Sequence, residues 1–185
     1  RAGEQTVDTD EAPGKGKPDK IPQLRPAFAK DGTITAATSS SISDGAAAVV
    51  LSRESVAKEN GQEPVAKIVA LAAHAQEPSE FTVAPVGAIE KVLKSAGWSA
   101  DEVDLWEVNE AFACVAMFAM RDIGIPHDKI NVNGGGTALG HPIGASGTRI
   151  IVTLLNALKQ QGKKRGVASL CIGGGEATAV AVEMV

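Results

Sequence analysis

NVNGGGTALGHPIGASG, at residues 131–147, is the stretch that decides the fold of this chain, together with CIGGG at residues 171–175. Each stretch combines one reactive side chain, His141 or Cys171, with closely spaced glycines. Because glycine has no Cβ, such runs adopt positive φ angles and let a ligand or a neighbouring strand approach the main chain. Glycine loops also form tight turns and phosphate cradles, so the two stretches indicate a site at strand ends without identifying its chemistry.

An alternation of short apolar segments and amphipathic helices surrounds these stretches. The apolar segments predict strands at 67–73, 103–108, 130–132, 167–172 and 178–182. Helical periodicity covers 86–96, 110–121 and a longer segment after Gly147. The helix at 110–121 is apolar nearly all round and is therefore predicted to be buried between layers. The order β-α-β-α-β-α-β-β predicts an α/β fold, with a mostly parallel sheet that ends in an antiparallel hairpin.

The N-terminal third has a different composition. Residues 1–32 are charged and contain four prolines, which predicts an extended arm. Residues 33–62 predict one strand, at the apolar run 46–51, and one short helix beginning near Arg53. The regular alternation then occupies residues 63–185, which we expect to form the main domain. Because the first residue is arginine, we expect the chain to be a piece of a longer polypeptide.

Composition excludes several function classes. The 185 residues are 44% hydrophobic with a net charge of −4, which is typical of a globular protein. Scattered basic residues and only four Phe, two Trp and no Tyr argue against nucleic-acid binding. No apolar run reaches the roughly 20 residues of a membrane span, and the polar N-terminus has no signal-peptide pattern. Two cysteines do not make a disulfide framework, so a reducing, cytoplasmic location is predicted.

Three polar or reactive side chains follow predicted strands. They are Asn109, His141 and Cys171. In open α/β sheets, ligands bind outside the carboxyl ends of parallel strands, so these residues are expected to lie along one edge. Taken singly, each has an ordinary explanation: Asn109 as a helix cap, His141 as a turn residue and Cys171 as core packing.

Taken together, three motifs resemble the C-terminal signature blocks of the thiolase family. They are NEAFA at 109–113, GGGTALGHPIGASG at 134–147 and CIGGG at 171–175. The resemblance is closest to the biosynthetic acetyl-CoA acetyltransferases. Upstream, LRPAFAKDGTITAATSSSISDGAAAVVL at 24–51 resembles the segment between that family's loop domain and the last strand of its N-terminal half. The resemblance implies a thiolase-like fold: the C-terminal βαβαβαββ half, preceded by the final strand and helix of the N-terminal half.

Roles for individual residues are implied by the same resemblance. His141 matches the histidine that activates a nucleophilic cysteine and donates to the thioester oxygen, and Asn109 matches the asparagine that holds a water in that oxyanion hole. Cys171 matches the cysteine that acts as acid and base at the α-carbon. The Gly173 N–H is expected to contribute to a second oxyanion hole. The residues expected to bind substrate are Ser40, Phe81, Ala111 and Phe112.

The implied reaction is the reversible Claisen condensation of two acetyl-CoA molecules to acetoacetyl-CoA and CoA. The CoA thioester is substrate, and no cofactor or metal is expected. Cys171 must reach the thiolate form to remove a proton, and apolar burial raises the pKa of a thiol whereas polar neighbours lower it. Two alternatives stay open: a degradative 3-ketoacyl-CoA thiolase, and a non-catalytic module for CoA binding or assembly.

One part of the implied active site has no match in this chain. The family carries its acylated cysteine in the N-terminal half, whereas Cys114 lies within the predicted apolar helix and is explained by packing. We therefore expect the isolated chain to be inactive and the missing N-terminal half to be its partner. The resemblance further implies a homodimer or homotetramer. Alone, the strand predicted at 46–51 would be an unprotected edge.

Overall fold

A computed structural model describes Gly3 and residues 6–185, which form two compact units that divide between Ala37 and Thr38. The first unit contains helix α1 (Glu11–Lys15) and a 3-10 helix (Pro18–Gln23). None of its described residues is buried. The predicted extended arm therefore includes two short helices, the first of them capped by the Asp10 side chain, which accepts the Ala12 N–H.

The second unit holds the regular elements. Its helices are α2 (Glu54–Glu59), α3 (Ala84–Ala96), α4 (Ala113–Ile123), α5 (Gly136–Leu139) and α6 (Ser146–Gln160). Its strands are β1 (Ala66–Ala75), β2 (Leu105–Val108), β3 (Arg165–Cys171) and β4 (Glu176–Met184). Further 3-10 turns lie at Pro78–Glu80, Ala100–Glu102 and His127–Lys129, and another, Ala36–Thr38, spans the point in the sequence where the units divide. The predicted helix near Arg53 is confirmed as α2, and the predicted terminal hairpin as β3 and β4.

The four strands form one sheet in the order β1-β4-β3-β2. Strands β2 and β3 pair in parallel, whereas β4 is antiparallel to both β3 and β1. Strands β1, β2 and β3 therefore run in one direction, as the alternating pattern predicts. The prediction of mostly parallel pairing is wrong, because β4 returns between β1 and β3 and makes two of the three strand pairings antiparallel.

Helices cover both faces of this sheet. On one face, α3 and α4 bury Trp106 and Val108 of β2 in the larger apolar cluster. On the other face, α6 packs Ile150 and Leu154 against Leu105 in a second cluster. The alternation of β2 side chains between the two clusters follows from the two-residue period of a strand. Full burial of one such side chain contributes roughly 1.5–3 kcal/mol, so these clusters hold α6 and α4 against the sheet.

The strand predicted at 130–132 is not formed. Ile130 makes a single parallel bridge to Trp106, and Asn131 then takes a positive φ of 47°. The Asn131 side chain accepts the Val108 N–H and donates to the Val108 carbonyl, each at 2.9 Å. Side-chain hydrogen bonds thus replace the main-chain ladder that a further strand would supply, and the chain turns away from the sheet.

Two more predictions need correction. Helix α4 begins at Ala113 because Phe112 is extended and bridges Ser39, and it is not buried all round, since Met117 is 60% exposed. Residues 46–51 form no strand, and Val50 is 94% exposed. Their backbone pairs with no described strand, and an apolar segment without a partner does not hold strand geometry in water. Over the part of the chain that the structure describes, no helix is long and apolar enough to cross a membrane.

Candidate active site

Asn109 and His141 are in contact at the carboxyl end of β2. Asn109 is completely buried, and its N–H donates to the Ser169 carbonyl at 3.0 Å, which extends the pairing of β2 with β3 by one residue. Its Nδ2 lies 3.4 Å from Nε2 of His141. The backbone N–H of His141 donates to the Ser41 carbonyl at 2.8 Å, so the segment before α2 fixes the position of the histidine. The structure therefore brings two of the predicted site residues together.

The other ring nitrogen of His141 contacts Ser146. His141 Nδ1 and Ser146 Oγ are 2.6 Å apart, and Ser146 is the first residue of α6. Ser146 is not among the predicted site residues, although its place in the GASG motif, five residues after His141, is a usable sequence signal. Gly140 allows the close approach of the serine-rich segment, because it has a φ of 88° and a Cβ there would lie 2.1 Å from Ser43 Oγ.

Burial sets the charge of His141. The half-buried ring and the nearby Arg149 guanidinium both lower the pKa of His141, and burial has the larger effect. The imidazole is consequently neutral at neutral pH. A neutral imidazole can accept a proton from a thiol, as a general base must.

Cys171 ends β3, the parallel neighbour of β2. It is 7% exposed and belongs to the larger apolar cluster, with α3 and α4. Burial raises the pKa of its thiol to about 11. Asn109 instead contacts His141 and, through it, α6. Cys171 thus ends the strand that pairs with β2, which the Asn109–His141 contact follows.

The glycines at 134–136 enclose a carboxylate. The Glu110 carboxylate accepts hydrogen bonds from Asn131 Nδ2 at 3.0 Å, from the Thr137 N–H at 3.2 Å and from the Thr137 hydroxyl. A Cβ on Gly135 would lie 2.1 Å from the carboxyl carbon of Glu110, and one on Gly136 would lie 2.9 Å from the Glu110 carbonyl oxygen. This glycine run therefore allows the loop to close over Glu110, which holds the start of the NEAFA segment next to the histidine loop.

The residues expected to bind substrate adjoin this edge. The Ser40 hydroxyl donates to the Ala111 carbonyl at 3.0 Å. Phe81 and Phe112 stack edge to face, with ring centroids 6.2 Å apart. Gly173 is exposed in the turn between β3 and β4. The substrate-binding and oxyanion roles of these residues stay predictions.

Two hollows lie beside these elements. One, of about 340 Å³, is lined by residues 43–47 and 142–145, next to His141. The other, of about 380 Å³, lies between the Glu110 loop and α4, with Met117 and Met120 in its wall. Asn109, His141 and Cys171 line neither of these two hollows.

A buried ion pair lies behind the candidate site. Glu107 on β2 is 1% exposed, and its Oε2 lies 3.3 Å from Nη1 of Arg149 on α6. Burial raises the pKa of Glu107 to about 7, against the opposing effect of Arg149, and Glu110 raises it further. Neither residue of this pair is among the predicted site residues. The signal was a carboxylate inside the otherwise apolar strand LWEV.

We expect this carboxylate to make stability depend on pH. Its folded-state pKa of about 7 lies above the ordinary 4.5, so its stabilising effect is full below pH 4.5 and is lost as the pH rises through about 7. At about 1.4 kcal/mol per pKa unit, that loss is about 3 kcal/mol. The Tm of Glu107→Gln relative to the parent protein should therefore rise across this window. The exposed control Glu90→Gln should show no such trend, and equal slopes for the two variants would contradict the expectation.

Comparison with known proteins decides the family. Residues 62–184 match the model of the thiolase C-terminal domain, and residues 1–55 match that of the thiolase N-terminal domain. The chain belongs to the thiolase family. The NEAFA, GHP and CIGGG motifs of this thiolase chain contain Asn109, His141 and Cys171, respectively. The domain boundaries expected at residues 32 and 62 stay predictions.

Three similar proteins illustrate the match. An acetyl-CoA acetyltransferase of Yarrowia lipolytica is 49% identical over 185 residues, which is all of this chain and 46% of that protein. The Bacillus anthracis acetyl-CoA acetyltransferase structure has a TM-score of 0.88 at 42% identity, over 90% of this chain and 42% of that one. Human mitochondrial 3-ketoacyl-CoA thiolase, solved with CoA, has a TM-score of 0.85 at 39% identity, over 92% and 43%. The chain therefore spans less than half the length of these relatives.

Proposed function

We propose that this chain supplies the histidine, asparagine and second cysteine of an acetyl-CoA C-acetyltransferase. In the condensation direction, two acetyl-CoA molecules give acetoacetyl-CoA and free CoA. The observation that carries the proposal is the contact between Asn109 and His141 at the carboxyl end of β2, next to the strand that ends in Cys171. Membership of the thiolase family and the names of the Yarrowia and Bacillus relatives support this choice of reaction.

His141 is proposed as the base for the first half-reaction. A cysteine thiol gives its proton to the neutral imidazole and attacks the thioester carbon of acetyl-CoA, and the departing CoA sulfur recovers that proton. The lowered pKa of His141 fits this role, because the ring is available as an acceptor at neutral pH. Asn109 holds a polar amide beside Nε2, where the thioester oxygen or a water bound to it requires donors.

Cys171 is proposed as the acid and base of the second half-reaction. Its thiolate removes the α-proton of the second acetyl-CoA, and the enolate carbon attacks the acyl-enzyme carbonyl, which releases the first cysteine. A pKa of about 11 favours the neutral thiol, so Cys171 has a proton to donate to the enolate carbon in the cleavage direction. In the condensation direction, the Gly173 N–H is proposed to stabilise the developing enolate oxygen in the second oxyanion hole, which lowers the barrier to transfer of the α-proton to the Cys171 thiolate.

The acylated cysteine is proposed to come from outside these 185 residues. Cys114, the other thiol, is half-buried on α4, and burial raises its pKa, which disfavours the thiolate that a nucleophile needs. The isolated chain is accordingly proposed to be inactive. Its proposed partner is an N-terminal thiolase half that carries the nucleophile.

A degradative 3-ketoacyl-CoA thiolase is the second candidate, favoured by the likeness to the human mitochondrial enzyme. The protein expressed from its full coding sequence separates the candidates when thiolysis of acetoacetyl-CoA is compared with that of longer 3-ketoacyl-CoA thioesters. We expect the highest kcat/KM with acetoacetyl-CoA. Higher kcat/KM with longer chains would establish the degradative function instead. A lack of activity with both acetoacetyl-CoA and longer 3-ketoacyl-CoA thioesters would favour the third reading, a non-catalytic module for CoA binding or assembly.

Location and assembly are proposals at the same level. A cytoplasmic location and a homodimeric or homotetrameric state follow from the cysteine content and from the family resemblance. Cell fractionation and sedimentation of the full-length protein test them. The expected lack of a cofactor or metal stays a prediction, checked by activity of the purified protein after extensive dialysis against a chelator.

A further inference from the structure

Ser146 is a buried hydroxyl with two partners. The residue has 0% exposure at the start of α6. Its Oγ lies 2.6 Å from His141 Nδ1 and 3.1 Å from the Pro142 carbonyl oxygen. A buried hydroxyl carries one proton and can also accept hydrogen bonds, so the direction of these two bonds determines where the protons of the histidine lie.

The Pro142 carbonyl can only accept, so it takes the hydroxyl proton of Ser146. The short contact to His141 then requires a proton on Nδ1, which donates to Ser146 Oγ. In the neutral ring, a proton on Nδ1 leaves Nε2 with its lone pair.

The opposite side of the ring gives the same assignment independently. Nε2 of His141 faces Nδ2 of Asn109 at 3.4 Å, and that amide nitrogen can only donate. A proton on Nε2 would set two donors against each other at a completely buried asparagine. Both neighbours of the ring therefore favour the Nδ1-protonated form.

Helix capping does not account for Ser146. Ala145 holds the cap position of α6, and no side chain makes a capping hydrogen bond there. The Ser146 hydroxyl instead reaches back to Pro142 and across to the histidine ring. The hydrogen bonds of the Ser146 hydroxyl thus orient His141 and do not cap the helix.

We propose that Ser146 is a positioning residue, which holds His141 in the tautomer protonated at Nδ1 so that Nε2 is the nitrogen that accepts the proton of the nucleophile. The catalytic part of this inference rests on the proposed function, whereas the tautomer itself does not. In metal sites, hydrogen-bond partners that fix the tautomer of a ligating histidine contribute roughly 10- to 100-fold to affinity or activity, and we expect an effect of similar size for Ser146.

The test uses the protein expressed from its full coding sequence, as parent, Ser146→Ala, Ser146→Thr and the control Ser169→Ala. Ser169 is a matched control because it is also buried and its hydroxyl also donates to a carbonyl, that of Thr178 at 2.9 Å. Solid-state NMR of histidine-ring ¹⁵N reports the tautomer, and the His141→Asn spectrum identifies the His141 signals. Thiolysis kinetics and thermal denaturation are measured on the same samples.

We expect the ¹⁵N spectrum of Ser146→Ala to lose the pure Nδ1-protonated signal. We also expect kcat to fall roughly 10- to 100-fold, with little change in KM. Ser146→Thr, which keeps a hydroxyl, should restore both, and Ser169→Ala should match the parent. An unchanged tautomer in folded Ser146→Ala would overturn the proposal, as would equal losses of kcat in Ser146→Ala and Ser169→Ala. If no variant and no parent sample shows thiolase activity, the proposed function fails, and the NMR comparison still decides whether Ser146 sets the tautomer.

Discussion

Replacement of His141 by alanine is expected to lower kcat for acetoacetyl-CoA thiolysis by at least roughly 10³-fold in the full-length protein. Loss of a general base typically costs roughly 10²- to 10⁴-fold, and loss of one oxyanion donor costs roughly 2.7–4 kcal/mol of barrier. His141 is the ring whose Nε2 lies 3.4 Å from the buried Asn109 amide, and its lowered pKa keeps it neutral. Rates of acyl-enzyme formation, measured by rapid quench, should show the defect in the first half-reaction.

The matched control for this change is His127→Ala. His127 is exposed on the 3-10 turn after α4, so its removal should leave kcat near that of the parent. Circular dichroism and the Tm must show that the His141 variant is folded. A folded His141→Ala protein that turns over at the rate of the His127 variant would refute the assignment of the base.

Replacement of Cys171 by alanine is the second large expected effect. We expect acyl-enzyme formation to persist while condensation and thiolysis of acetoacetyl-CoA fall by roughly 10²- to 10⁴-fold, since the group that moves the α-proton is removed. The most direct measurement is exchange of the α-protons of a bound thioester with deuterated solvent, which should disappear. Removal of one buried sulfur should cost only roughly 1 kcal/mol in the free energy of unfolding.

Cys114→Ala is the control, because it removes the half-buried thiol of α4 and leaves Cys171 in place. It should retain both acyl-enzyme formation and α-proton exchange. Alkylation of Cys171 by iodoacetamide should remain slow at neutral pH and accelerate as the pH approaches about 11, since only the thiolate reacts. Unimpaired α-proton exchange in Cys171→Ala would exclude this cysteine as the acid and base.

Contacts between distant segments limited what could be predicted. The periodicity of α6 and the alternation in β2 are local properties, so the sequence predicted both elements near their observed positions. No strand forms at 130–132 because the Asn131 side chain hydrogen-bonds to the Val108 backbone in place of a main-chain ladder. No local sequence pattern reveals such a replacement. The run at 46–51 failed for the complementary reason, since strand formation requires a neighbour as well as apolar residues.

The site shows the same division. Motifs predicted that Asn109, His141 and Cys171 follow strands, and the parallel pairing of β2 with β3 puts Asn109 and Cys171 at one edge. The sequence did not indicate Ser146 or Glu107, because serine and glutamate are common surface residues and only their burial makes these two unusual. Their importance depends on 0% and 1% exposure and on partners brought by another element.

The amino-acid sequence by itself determined the membership of this chain in the thiolase family, most of its helices and strands, and the motifs that carry Asn109, His141 and Cys171, because local periodicity and short motifs encode these features. Only the tertiary structure decided that β4 lies between β1 and β3, that Asn109 contacts His141, and that Ser146 orients the imidazole. Those features depend on hydrogen bonds and burial between residues far apart in the chain, and such interactions exist only after the layers have packed.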